Sequence, residues 1–182
     1  MNEKWTIIDA LRHSRHDWLN RMQMVKGNLS LGKVEEIHSL IDRFVQEARQ
    51  ESNLIGLSMP LFSEWILTYN WKQQPCLLEY EVLGKLHNLS HLDEIVCTWT
   101  NQFFSILQHS LDVYVENYVC ITIECDAENA RFFFDFRGKL TSVEELQNWL
   151  ANQNNKWYSI SYTVRDEEVS VILQLIEKSV VK

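Results

Sequence analysis

The alternation of apolar and polar positions changes its period once along this chain, near residue 57. Before it, apolar side chains recur at intervals of three and four. Ile8, Leu11, Trp18, Met22, Val25 and Leu29 form one seam, and Arg15 stands at its remaining position. Val34, Ile37, Ile41, Phe44, Ala48 and Ile55 form a second seam, interrupted only by Glu51. That spacing is the signature of helices packed in a bundle. Asn28–Lys33 supplies the polar residues and the glycine of a short connection, so residues 1–56 read as a helical hairpin. Glu35, Glu36, Asp42, Arg43, Glu47 and Arg49 fall on the outer faces.

Beyond residue 57 helical and alternating patterns intersperse. Ser58-Met59-Pro60 predicts a helix start, with Leu61, Phe62, Trp65, Ile66 and Tyr69 behind it. Cys76–Leu83 reads as a strand ended by Gly84, and a long helix is expected from Ser90 through Ile95, Trp99, Phe103 and Ile106. Tyr118–Cys125 and Ala130–Phe136 read as strands joined by the turn Asp126–Asn129. A short helix (Ser142–Ala151) and a hairpin (Trp157–Arg165, Val169–Ile176) follow. The whole is an α+β chain: a helical hairpin over 1–56, then an α/β sandwich with mostly antiparallel strands over 57–182. The Phe132-Phe133-Phe134 stripe reads as sheet core rather than a cofactor box.

A two-helix hairpin leaves its seams uncovered. The simplest cover is the same hairpin from a second chain, which makes a homodimer with a four-helix bundle. Seven Trp and eight Phe suit a packed core, and a net charge of −8 without a basic run argues against nucleic acid as the partner. The four cysteines form no CxxC pair, which fits reduced thiols in a cytoplasmic protein. The apolar stretch around Ile95–Leu107 is too short to span a bilayer, so no membrane association is expected.

Candidate chemistry concentrates in His13-Ser14-Arg15-His16-Asp17-Trp18-Leu19-Asn20. With Ile8 at heptad position a, His16 falls at b, on the flank of the seam. An imidazole there is a candidate phosphoryl carrier; taken alone, it is more often an ordinary surface histidine. Asp17 either fixes the imidazole tautomer or is a solvated carboxylate. Arg15 either reaches the phosphoryl group or pairs with Glu51 to set register, the second being favoured. Asn20, one turn along, either meets a docked partner or is a solvated amide. His13 and His16 have metal-compatible spacing, but no further ligand accompanies them.

The segment HSRHDWLNRMQMVKGNLSLGK (His13–Lys33) closely resembles the sporulation initiation phosphotransferases, the histidine phosphotransferases of the phosphorelay in endospore-forming bacteria. Tyr69-Asn70-Trp71-Lys72 and Leu78–Gly84 continue the likeness in the same order, whereas the last ~60 residues match in pattern only. The resemblance implies a dimeric four-helix bundle in which His16 carries the phosphoryl group. It also implies transfer from the aspartate of a single-domain response regulator to the aspartate of a second regulator, a transcription factor. It implies further that the C-terminal domain is a histidine-kinase ATPase domain that has lost nucleotide binding.

The residues agree on the last point. Where an Asn box is expected the chain reads Ile106-Leu107-Gln108-His109-Ser110-Leu111-Asp112. Where a Gly-rich signature is expected it reads Asp135-Phe136-Arg137-Gly138-Lys139. Only Gly138 follows Gly84, so no glycine-rich lid can bring backbone amides to a phosphate chain. The expectation is a phosphotransferase rather than an autokinase, binding neither ATP nor any cofactor, with Mg²⁺ supplied by the receiver domain. The alternatives are an inert dimeric scaffold that binds response regulators and, further off, an active kinase.

Overall fold

A computed structural model describes residues 6–126, 129–154 and 156–176, and the chain divides into two compact units between Arg49 and Gln50. The hairpin consists of α1 (Ile7–Ser30) and α2 (Val34–Gly56), whose last turns lie in the second unit. A capping box starts α1: Asp9 N donates to Thr6 Oγ1 at 3.2 Å, and Thr6 N donates back to the Asp9 carboxylate at 3.3 Å. Hydrogen bonding to Thr6 holds the Asp9 carboxyl below its ordinary pKa. The connection turns at Gly32, whose φ of +68° is a left-handed conformation open to glycine at no steric cost. No residue of α1 is buried, and Ile8, Leu11, Trp18, Met22, Leu29, Val34 and Ile41 are all exposed along the seams. Large side chains of this kind each contribute roughly 1.5–3 kcal/mol when fully buried, and these seams are not buried within the chain.

The second unit is a five-stranded sheet in the order β1-β2-β3-β5-β4. Its strands are β1 (Leu77–Gly84), β2 (Tyr118–Cys125), β3 (Ala130–Arg137), β4 (Tyr158–Val164) and β5 (Glu168–Leu175). β1 and β2 run parallel and the other neighbours antiparallel. Parallel strands require a crossover, and α4 (Asp93–His109), preceded by a 3₁₀ turn at Ser90–Leu92, provides it. With α3 (Pro60–Tyr69) and α5 (Glu144–Ala151), this helix covers one face of the sheet. The turn expected at Asp126–Asn129 closes through Asp126 N to Asn129 O at 2.8 Å; Ala127 and Glu128 lie outside the described residues.

The strands alternate as their sequence pattern predicts. Phe132, Phe134 and Phe136 on β3 are fully buried under the helices, while Phe133 between them turns to the opposite, helix-free face. The phenylalanine stripe is therefore core on two of its three positions. Phe62 meets Phe132 edge-on at 5.6 Å, and Trp99 packs against Phe103, Phe134 and Trp149 at 4.9–5.4 Å. Gly84 closes β1 with φ +86°, and a Cβ there would lie 2.0 Å from the carbonyl oxygen of Cys125.

One contact of high sequence separation fixes α3. Met59 precedes the helix and offers no capping oxygen, and the buried carboxylate of Asp93 substitutes for it. Its two oxygens accept from Leu61 N and Phe62 N, each at 2.9 Å. Hydrogen bonds to a charged acceptor contribute more than neutral ones. Asp93→Ala, which orphans two helix N-terminal amides, is expected to lower stability by about 1.5–3 kcal/mol, measured by urea unfolding.

Candidate functional site

His16 occupies the third turn of α1 with its side chain 71% exposed. Its Nδ1 lies 3.2 Å from the side-chain amide of Asn20 and 3.5 Å from Asp17 Oδ1. The Asn20 contact is the natural (i, i+4) neighbour on a helix surface. The longer Asp17 contact shows that a residue 100° away around the helix can still bring its carboxylate toward the ring. Nε2 has no hydrogen-bond partner among the described residues. The ring is therefore held from one side and presents its other nitrogen to solvent.

This geometry ties the tautomer to function. A lone pair on Nε2 requires the proton on Nδ1, and both the Asp17 carboxylate and the Asn20 amide oxygen can accept from Nδ1–H. The Asn20 atom facing Nδ1 is Nδ2, so this tautomer calls for the amide turned over, with its oxygen accepting from Nδ1–H. The spacing of the sequence suggested Asn20 as a docking contact; the structure places it against the imidazole itself.

Arg15 is exposed, and neither it nor Glu51 makes an ion pair among the described residues. The charge pair that links α1 to α2 is Arg21–Glu47, at 2.8 Å, with Arg43 3.7 Å from the same carboxylate. The Arg21 and Arg43 guanidiniums flank the Phe44 ring at 5.2 and 5.5 Å. Sequence reasoning passed over this cluster because its members lie 26 residues apart. The (i, i+4) spacing of Arg43 and Glu47 was the one available signal. No group of three or more metal-ligating side chains gathers among the described residues, at His13 and His16 or elsewhere. None of the described helices is long and apolar enough to cross a membrane.

In the second unit the stretch after β3 is tied down closely. Gly138 N donates to Glu167 O, Leu140 N to Asp166 O and Thr141 N to Ser110 O, while Asp112 N donates to Lys139 O. Buried Asn117 braces the same place. Its Nδ2 donates to the carbonyls of Asp112 and Val115, and its Oδ1 accepts from Lys139 N. Trp99, Phe103, Phe134 and Trp149 fill the space between α4, α5 and β3.

Comparison with known proteins agrees with this organisation. Residues 1–57 match the family described as the alpha-helical domain of the SpoOB-type sensor kinases. Residues 58–176 match the C-terminal domain of sporulation initiation phosphotransferase B. The chain belongs to the sporulation initiation phosphotransferase B family. A curated member, sporulation initiation phosphotransferase B of Bacillus subtilis (strain 168), is 35% identical over 134 residues, spanning 72% of this chain and 70% of its own. Among solved structures, one described as a bacterial phosphotransferase covers 94% of this chain and 98% of its own, at 13% identity and a TM-score of 0.43. The Acinetobacter baumannii histidine kinase AdeS covers 88% and 96% respectively, at 8% identity and a TM-score of 0.40. The resemblance read from His13–Lys33 thus identifies the family.

Proposed function

We propose that this family member is the histidine phosphotransferase of a sporulation-type phosphorelay, with His16 as its phosphoryl carrier. The observation that carries the reading is the His16 ring, braced at Nδ1 by Asn20 and Asp17 and open at Nε2 on a regular helix. In the forward half-reaction the Nε2 lone pair attacks the phosphorus of an aspartyl phosphate on a receiver domain. The P–N bond forms as the P–O bond breaks, and the bond electrons leave on the receiver's carboxylate. The second half-reaction reverses these bonds on the aspartate of another receiver, a transcription factor. Mg²⁺ bound by each receiver neutralises the charge on the phosphoryl oxygens.

This chain's part is positioning. A side chain fixed on a helix costs little ordering at the moment of transfer, and orientation dominates reactions of this kind. The uncovered seams of α1 and α2 support a homodimer in which two hairpins form a four-helix bundle with one His16 exposed on each flank. The bonded-down stretch after β3 and the aromatic packing beside it support a C-terminal domain that binds no ATP. The composition and reduced cysteines support a cytoplasmic protein.

The direct experiment is to incubate the protein, without ATP, with a receiver domain carrying labelled acyl phosphate. Acid-labile, base-stable label on this chain, chased onto a second receiver, is the expected result. A stable complex with no label on the chain would select the inert scaffold instead.

A further inference from the structure

The two edges of the sheet are treated in opposite ways. The outer edge of β1 is blocked by side chains: Asn70 donates to Leu78 O at 2.7 Å and accepts from Leu78 N at 3.0 Å, and Gln50 Oε1 accepts from Val82 N at 2.7 Å. Glu79 and Glu81 add charge to the same strand. These are ordinary means of keeping an edge from pairing with another chain. β4, the opposite edge, has none of the charge. Its seven residues, Tyr-Ser-Ile-Ser-Tyr-Thr-Val, include no Lys, Arg, Asp, Glu, Pro or Gly, and none of them is buried.

The ladder shows which backbone groups of β4 are left over. Arg165 N donates to Glu168 O and Ile176 N to Trp157 O, so the odd-numbered residues of β4 turn their amides and carbonyls toward β5. The even-numbered ones turn theirs outward. Of these, Ile160 N is taken by Asn154 Oδ1 at 2.7 Å. Ile160 O and both backbone groups of Tyr162 and Val164 have no hydrogen-bond partner among the described residues.

We propose that β4 is a second self-association surface, pairing antiparallel with β4 of another copy about a two-fold axis at Ser161. The choice of occupant follows from the sequence across that axis. Ser161 faces Ser161, Ile160 faces Tyr162, Ser159 faces Thr163 and Tyr158 faces Val164, so polar meets polar and apolar meets apolar on each face. At the ends Trp157 faces Arg165, and Lys156 faces Asp166. The charges complement one another twice, once at each end of the symmetric pair. Shifting the axis to Ile160 instead sets Lys156 against Val164 and loses that match. In the Ser161 register Ile160 and Tyr162 of each copy exchange backbone hydrogen bonds, with the Asn154 side chain giving up Ile160 N. This surface is independent of the helical seams, so a chain that also dimerises through its hairpin assembles beyond a dimer.

Ser161 and Thr163 point to the helix-free face of the sheet, so substitution there leaves the core untouched. Sedimentation of the full chain over a range of concentrations tests the pairing. Ser161→Lys and Ser161→Glu each set like charges face to face and are expected to remove the larger species. An equimolar mixture of the two variants is expected to restore it. Ser161→Cys is expected to cross-link under mild oxidation, since a non-hydrogen-bonded antiparallel pair holds its Cα atoms about 4.5 Å apart, within disulfide range. Thr163→Cys, which faces Ser159, is not. A mass unchanged by Ser161→Lys at every concentration, a mixture that fails to reassociate, or cross-linking of Thr163→Cys as fast as Ser161→Cys would each overturn the proposal.

Discussion

His16→Ala is expected to reduce phosphoryl transfer to background, a loss of more than ~10³-fold, because the proposed covalent intermediate forms on its ring. Nothing in the hairpin depends on the ring. It is 71% exposed, and it contacts two other surface side chains, Asn20 and Asp17. Circular dichroism, oligomeric mass and receiver binding should therefore match those of the parent. Asn20→Ala, which keeps the nucleophile and removes one of its two braces, should be slowed by only about tenfold, the order expected for one lost hydrogen bond. Labelled transfer from a phosphorylated receiver separates the two. If His16→Ala still takes label, the carrier lies elsewhere. If Asn20→Ala is as dead as His16→Ala, the amide does more than orient the ring.

Phe134→Ala is expected to cost about 3–5 kcal/mol, the range for deleting a fully buried aromatic side chain. Phe134 sits in the central strand β3 with no exposure, 4.9 Å from Trp99 and 5.4 Å from Phe103 by ring centroids. Removing it opens a cavity lined by rings that cannot collapse into it, since Trp99 is also held between Phe103 and Trp149. Domains are stable by only about 5–15 kcal/mol, so the loss is a large fraction of the total. Thermal unfolding followed by tryptophan fluorescence, to which Trp99 and Trp149 contribute, should show a lowered midpoint. Far-ultraviolet circular dichroism should show the α1–α2 hairpin responding less than the sheet, because the two belong to separate compact units. A shift no larger than that of an exposed substitution would contradict the packing described for this core.

The legible part of the chain was periodic. The heptad seams before residue 57 and the alternation of Phe132, Phe134 and Phe136 after it report element type. A helix or strand with one buried face repeats its apolar residues at its own period. Element ends shifted by up to three residues: the helix expected from Ser142 begins at Glu144, and the one expected from Ser90 begins as a 3₁₀ turn before Asp93. The chemistry was legible for a different reason. The block around His16 is a local motif on a single helix, so the residues that position the ring are its neighbours in sequence.

Contacts between distant segments were not legible in that way. Asp93 caps a helix that starts 33 residues earlier, Arg21 meets Glu47 across the turn, and Asn70 and Gln50 seal the edge of β1. Each uses a polar side chain that, read locally, belongs to a solvated surface. The parallel pairing of β1 with β2 and the crossing of β5 between β3 and β4 are of the same kind. The sequence alone determined the elements, the faces they bury, the family and the candidate carrier His16, because these rest on local period and on a contiguous motif. Only the tertiary structure decided which distant polar group satisfies which backbone amide. Hydrogen-bond partners are selected by proximity in space, and one-dimensional order does not record it.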